Sequence, residues 1–298
     1  MRKLAIFIIL VMPLAVFAQV GPGGFISAEQ DASLKGPDSD SIEPFKILGN
    51  IYYVGAQNIS SYLITTPQGH ILVDTGMPRM ARPVLASVEK LGFKPNDIRL
   101  MISSHAHVDH IGGHAEVKKA TGAMVVASAE DARALEAGVD MSPVGYLGWT
   151  PVGVDRIIKD GETVTLGGTT LRAVLTPGHT PGATTWVMDV QDGGRTYNVV
   201  FPGGAAPNGG PAVVGNPKHP NLDQITLATY AKLKTLRPDI ALPGHPQAAF
   251  KGTIDQMKAG ARPHPLLQEP GTWLKQQEQG EANFRKRIEA DKAKMSAR

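Results

Sequence analysis

The sequence predicts an α/β fold in which sheets are covered by helices, and three observations predict it. Short apolar runs bounded by Gly, Pro and Asn alternate with stretches of helical periodicity. That succession of strands and helices occurs in both halves of the chain. The 42% of hydrophobic residues in a chain of 298 is enough to fill a large core.

The first element is an address. Met1-Arg2-Lys3 is a positive start, residues 4–17 are apolar, and Val16-Phe17-Ala18 places small residues where a signal peptidase reads. Residues 1–18 are therefore expected to be a secretory signal peptide cut after Ala18, with export to the periplasm. The apolar run is short for a bilayer span, so no membrane association is expected after cleavage. Loss of Arg2 and Lys3 leaves 28 basic against 27 acidic residues, a balance that gives no sign of a nucleic-acid partner. The absence of Cys excludes a disulfide framework, a thiolate metal site and a cysteine nucleophile.

Residues 19–44 lack periodicity and are expected to form a flexible arm, with the folded domain at 45–298. Three strands should follow in KILGNIYYV, ISSYLITT and HILVDTG. Met80, Val84, Val88 and Leu91 predict a helix over 79–91. LMISS (100–104) reads as a buried strand that delivers polar residues at its C-terminal end. A helix over 113–121, a strand in MVVAS, and a helix over 129–137 come next. Residues 138–153 are a Gly/Pro-rich loop. Strands resume in ETVTL, TTLRAVLT, ATTWVMDV and TYNVVF. The Gly and Pro density of residues 202–221 forbids regular structure, and a loop that long inside a domain is usually functional. Helices are expected at 222–236, 252–262 and 272–294, with a strand in DIALP between the first two.

The chemistry concentrates just past the strand LMISS, in Ser104-His105-Ala106-His107-Val108-Asp109-His110. A turn beyond a strand end aims several side chains into one space. Imidazole and carboxylate are the ligand types that suit zinc. Two more histidines, His179 in TPGHTPG and His245 in LPGHP, also follow strands and are held between Pro and Gly turns. Five histidines and one aspartate suffice for two metals with three protein ligands each, and three ligands plus an open position is the catalytic arrangement of zinc. His70, His114, His219 and His264 are read as solvated or internally satisfied side chains. Asp74 in VDTG is either a partner for a ligand histidine or a plain turn residue.

The H-x-H-x-D-H signature, with these flanking turns, resembles the metallo-β-lactamase superfamily. The resemblance runs from about Phe45 to the C-terminus and is strongest to subclass B3. It rests on ISSYLITTPQGHILVDTG, SHAHVDHIGGHAEVKKATGA, DGETVTLGGTTLRAVLTPGHTPGATTW and VVGNPKHPNL. It implies an αβ/βα sandwich, two mixed sheets flanked by helices, with two Zn2+ ions in a groove between the halves. It implies that His105, His107 and His179 hold the first zinc, and that Asp109, His110 and His245 hold the second. Glyoxalase II-like and lactonase-like members carry a bridging Asp in a Gly-Asp pair after a strand; here the corresponding stretch, Val200-Phe201-Pro202-Gly203-Gly204-Ala205, has no carboxylate.

What the resemblance implies in function is hydrolysis of the β-lactam amide bond of penicillins, cephalosporins or carbapenems by a zinc-bound hydroxide, conferring antibiotic resistance. Asp109 would serve as ligand and orient the hydroxide. The alternative is a hydrolase of the same fold acting on a lactone, thioester or phosphoester. The serine that many B3 enzymes use for the substrate carboxylate is missing at Gly204 and Ala205, so Asn208 and Lys218 are candidate substitutes. Tyr146 and Trp149 are candidate apolar walls. A monomer with a small-molecule β-lactam substrate is expected.

Overall fold

The computed structural model describes residues 41–145, 147–246, 250 and 252–297. The expected signal peptide, residues 19–40 of the expected arm, and Tyr146 lie outside the described residues.

The first half builds a seven-stranded sheet: β1 (Phe45–Leu48), β2 (Ile51–Tyr53), β3 (Tyr62–Thr66), β4 (Gly69–Val73), β5 (Ile98–Ile102), β6 (Met124–Ser128) and β7 (Arg156–Ile158), in that spatial order. Pairing is antiparallel from β1 to β4 and parallel from β4 to β7. Parallel neighbours need crossovers. They are made by α1 (Ala81–Lys90), by α2 (Val108–Ile111) with α3 (His114–Thr121), and by α4 (Ala129–Ala137). Sequence chemistry bounds these helices. The Ser128 hydroxyl accepts the Asp131 N–H at the start of α4, and left-handed Gly122 and Gly138 end α3 and α4.

The second half forms β8 (Thr163–Leu166), β9 (Thr169–Leu175), β10 (Thr184–Asp192), β11 (Arg195–Phe201) and β12 (Ile240–Ala241). This sheet has the order β12-β11-β10-β9-β8, antiparallel except where β12 runs parallel to β11. The remaining helices are α5 (Leu222–Leu233), α6 (Ile254–Lys258) and α7 (Thr272–Ser296).

Alternation along the strands assigns the layers. Tyr62, Ile64, Ile71, Val73 and Ile102 turn toward the second sheet and meet Leu171, Trp186 and Phe201. Leu63, Leu72 and Met101, one residue out of phase, pack under α1, α3 and α4 with Val84, Val117 and Leu135. On the outer side of the second sheet, Val174, Val187 and Val200 pack against Leu233 and Trp273. The result is helix–sheet–sheet–helix, as expected.

Several elements differ from expectation. KILGNIYYV is two strands rather than one, because Gly49-Asn50 turns the chain back on itself. The strand β7 was not anticipated. Its RII core is only three residues long, too brief for periodicity to register. DIALP contributes only Ile240–Ala241, since Pro243 has no N–H for a ladder. The helix expected over 252–262 is the five-residue α6, bracketed by Gly252 and Gly260.

Candidate metal centre

Three strand ends supply the site. Ser104–His110 follows β5 and opens α2, His179 follows β9, and His245 follows β12. The carboxyl ends of strands are where α/β sheets place ligands. The two halves are locked together there: the Thr184 N–H donates to Ser104 O (2.8 Å) and Trp186 Nε1 donates to Ser103 O (2.9 Å).

The six residues singled out by sequence form two neighbouring groups, His105/His107/His179 and Asp109/His110/His245, each with its ligand-type atoms within 4.8 Å of one another. In the second group, His110 Nε2 and His245 Nε2 are 3.3 Å apart. Asp109 Oδ2 lies 3.5 Å from the first and 3.4 Å from the second. An ion that keeps ~2.0–2.1 Å to imidazole in a tetrahedral site needs ligand–ligand edges of about 3.3–3.4 Å, so this triangle fits a zinc-sized ion. In the first group the ring centroids are 4.5–4.7 Å apart, and His105 Nε2 is buried with no hydrogen-bond partner. An orphaned buried acceptor costs about 1–3 kcal/mol, which a bound cation would remove. The His105 and His110 rings, 4.0 Å apart, join the groups.

The far side of each ring is fixed. His179 Nδ1 bonds Ala206 O (2.9 Å) and His245 Nδ1 bonds Asn58 O (3.0 Å), which leaves Nε2 of both as the lone-pair nitrogen. His107 Nε2 lies 3.9 Å from Asp140 Oδ2, which places a carboxylate beside that ring. Buried Asp74, at φ 56°, accepts from Ser104 N (2.8 Å), Ser104 Oγ (2.7 Å) and His110 Nδ1 (3.0 Å). With its proton on Asp74, Ser104 Oγ accepts from His105 Nδ1 at 3.1 Å. One aspartate thus orients a histidine of each group, so Asp74 is the partner rather than the plain turn residue.

The electrostatics suit cation binding. Burial, then His110 and the other imidazoles, push the His105 pKa well below the ordinary histidine value. Burial and His179 do the same to His107. Burial lowers His179 to about 4. These rings are neutral at pH 7, with lone pairs available. Burial alone would raise the Asp109 carboxyl, but His110 and His245 overcome it and hold it well below the usual carboxylate range.

The remaining candidates fare differently. Asn208 and Lys218 are exposed on the long loop. Trp149 is fully buried among Leu135, Leu147 and Val152, so it is core and not a groove wall. Local sequence cannot tell which way an aromatic in a Gly/Pro loop turns. His114 and His264 are internally satisfied, as read from sequence. His219, read as solvated or satisfied, is half-buried with a hydrogen bond to the Ser142 backbone and lies near Asp140. Gly204 has φ +88°, and a Cβ there would lie 2.9 Å from His179 Cβ and Cγ, so a serine at 204 would strain this backbone and press on His179.

Comparison with known proteins agrees with this geometry. The family model described as the metallo-beta-lactamase superfamily matches residues 54–245. The subclass B3 metallo-beta-lactamase BJP-1 of Bradyrhizobium japonicum is 39% identical, with a TM-score of 0.79 over 87% of this chain and 98% of that one. Native FEZ-1 metallo-beta-lactamase from Legionella gormanii is 33% identical, with a TM-score of 0.80 over 87% and 99%. A curated hydroxyacylglutathione hydrolase of Rhodospirillum rubrum is 36% identical over 105 residues, 35% of this chain and 34% of that protein. The chain thus spans about a third of the length of that relative.

Proposed function

The chain belongs to the metallo-beta-lactamase superfamily, and on that premise we propose that it is a zinc-dependent β-lactamase of the B3 kind. The observation that supports this most is the make-up of the second group. His110 stands beside Asp109 and His245, while the chain after β11 reads Pro202-Gly203-Gly204-Ala205 without a carboxylate. Likeness to BJP-1 over nearly the whole of both chains supports the same reading.

Two Zn2+ ions, when bound, supply Lewis acidity to a carbonyl and acidify a water. His105, His107 and His179 would hold one, and Asp109, His110 and His245 the other. The chain's own contribution is preorganisation: neutral imidazoles already turned inward, and a carboxylate already ionised. Hydrolysis adds water across the lactam C–N bond, and the ring nitrogen must gain a proton. The Asp109 side chain is 28% exposed; as an ionised carboxylate at the metal group it would orient the attacking water and help pass that proton to the nitrogen. Asn208 and Lys218 would meet the substrate carboxylate. Residues 1–18 would direct export to the periplasm, where a β-lactamase meets its substrate and confers resistance, acting as a monomer.

Thioester hydrolysis is the second reading, favoured by local identity to hydroxyacylglutathione hydrolases. The test is a panel of nitrocefin, a penicillin, a carbapenem and an acyl-glutathione thioester, run on zinc-loaded protein. β-Lactam turnover that a chelator abolishes and zinc restores is the expected result. Thioester cleavage without β-lactam turnover, in protein shown to hold two zinc ions, would overturn the proposal.

A further inference from the structure

We infer that Asp131 is a positioning residue for the first metal group, tying the loop of His105 and His107 to the loop of His179. The inference rests on reading these histidines as metal ligands and adds to it a residue that touches none of them. Asp131 is 3% exposed, in the first turn of α4. Its carboxylate accepts from Thr180 Oγ1 (3.1 Å) and the Gly182 N–H (3.1 Å), just beyond His179. It also accepts from the Ala106 N–H, the residue between His105 and His107. All three histidines are therefore immediate sequence neighbours of a residue held by this single side chain.

The fit is close. Ser128 Oγ donates to Gly182 O at 2.7 Å, so the start of α4 grips both polar groups of that peptide segment. A Cβ on Gly182 would run into Ser128 and Asp131. Three donors converging on one side chain need an acceptor with two oxygens and no hydrogens, which only a carboxylate supplies. An amide would keep one oxygen and turn an NH2 against a donor. Burial and the like charge of Asp140 push its pKa up to about 7 against the pull of these donors, so the acceptor with no hydrogens is the form present above that pH. Such a buried group costs stability, so its worth lies in the geometry it enforces.

The test uses the full chain in a His245→Ala background, where one metal group is left intact. Zinc affinity is measured by competition with a chromophoric chelator, and the fold by melting of the metal-free protein. Asp131→Asn is expected to weaken zinc binding about 10- to 100-fold, the usual cost of losing a partner that orients a ligand. Thr180→Val, which removes one donor of the three, should weaken it by less. Glu130→Gln, at the exposed neighbouring position, should leave it unchanged. Asp131→Asn and Thr180→Val proteins that melt cooperatively and bind zinc as the His245→Ala parent does would overturn the inference while leaving the metal reading intact. A wild-type protein that binds no zinc would instead defeat that reading.

Discussion

His114 gives the sharpest test of the electrostatics. It is fully buried, with Nδ1 2.7 Å from Thr75 Oγ1 and Nε2 3.0 Å from Ser103 Oγ. Burial lowers its pKa from 6.5 to about 4. Between those values the unfolded chain binds a proton that the folded chain refuses, so stability must rise with pH. The His114 contribution is complete above pH 6.5 and is lost as pH falls toward 4. With 1.36 kcal/mol per pKa unit, the loss is about 2 kcal/mol at pH 5 and about 3 kcal/mol at pH 4. In His114→Gln nothing titrates at this position. The metal-free variant should be less stable than metal-free wild type at pH 7.5, by the ~1–3 kcal/mol of the two hydroxyl contacts, and the gap should close as pH falls. The other buried imidazoles titrate in both proteins and cancel in the difference. Urea unfolding at pH 7.5, 6, 5 and 4.5 measures it. Parallel stability curves, with a gap constant to within about 0.5 kcal/mol, would refute the reasoning.

Asp74→Asn keeps a residue type that tolerates φ 56° but turns an NH2 either toward both Ser104 Oγ and His110 Nδ1 or against the Ser104 N–H. Metal analysis with chelator competition should show about 10- to 100-fold weaker zinc binding, and unchanged affinity would remove Asp74 from its orienting role. Gly204→Ser places a Cβ 2.9 Å from His179 Cβ at a φ unfavourable for any side chain. It should lower kcat and zinc affinity rather than improve KM for an anionic substrate. A lower KM with intact zinc binding would contradict this.

The residues legible in the sequence were those that are conspicuous in themselves. The α/β class followed from short apolar runs alternating with helical periodicity, and the two-sheet sandwich from the family resemblance that the motifs carry. The six site residues stood out because ligand-type side chains cluster behind a buried strand and behind two Pro-Gly turns. Their supports were not legible, because each acts through a contact far off in sequence. Asp131 looks like an ordinary first-turn carboxylate behind the Ser128 cap, yet its partners are residues 106, 180 and 182. Ser104 reads as a strand-end serine, and only the fold brings Asp74 to it. Asp140, in a Gly/Pro-rich loop, gives no sign that it will stand against His107.

These supports bear on how the proposed substrate would be recognised. Residue 204 cannot present a hydroxyl without displacing His179. Asn208 and Lys218 are exposed on the long loop. What remains fixed near the groove is charge. With one aspartate among six ligand-type residues, a pair of dications keeps more of its positive charge than two carboxylates would leave. That field draws an anion without dictating its orientation, whereas a hydrogen-bond donor on a rigid turn would do both. On the proposed reading, then, the site attracts a β-lactam carboxylate chiefly through its metals and positions it only loosely, which favours breadth of substrate over tight binding of any one.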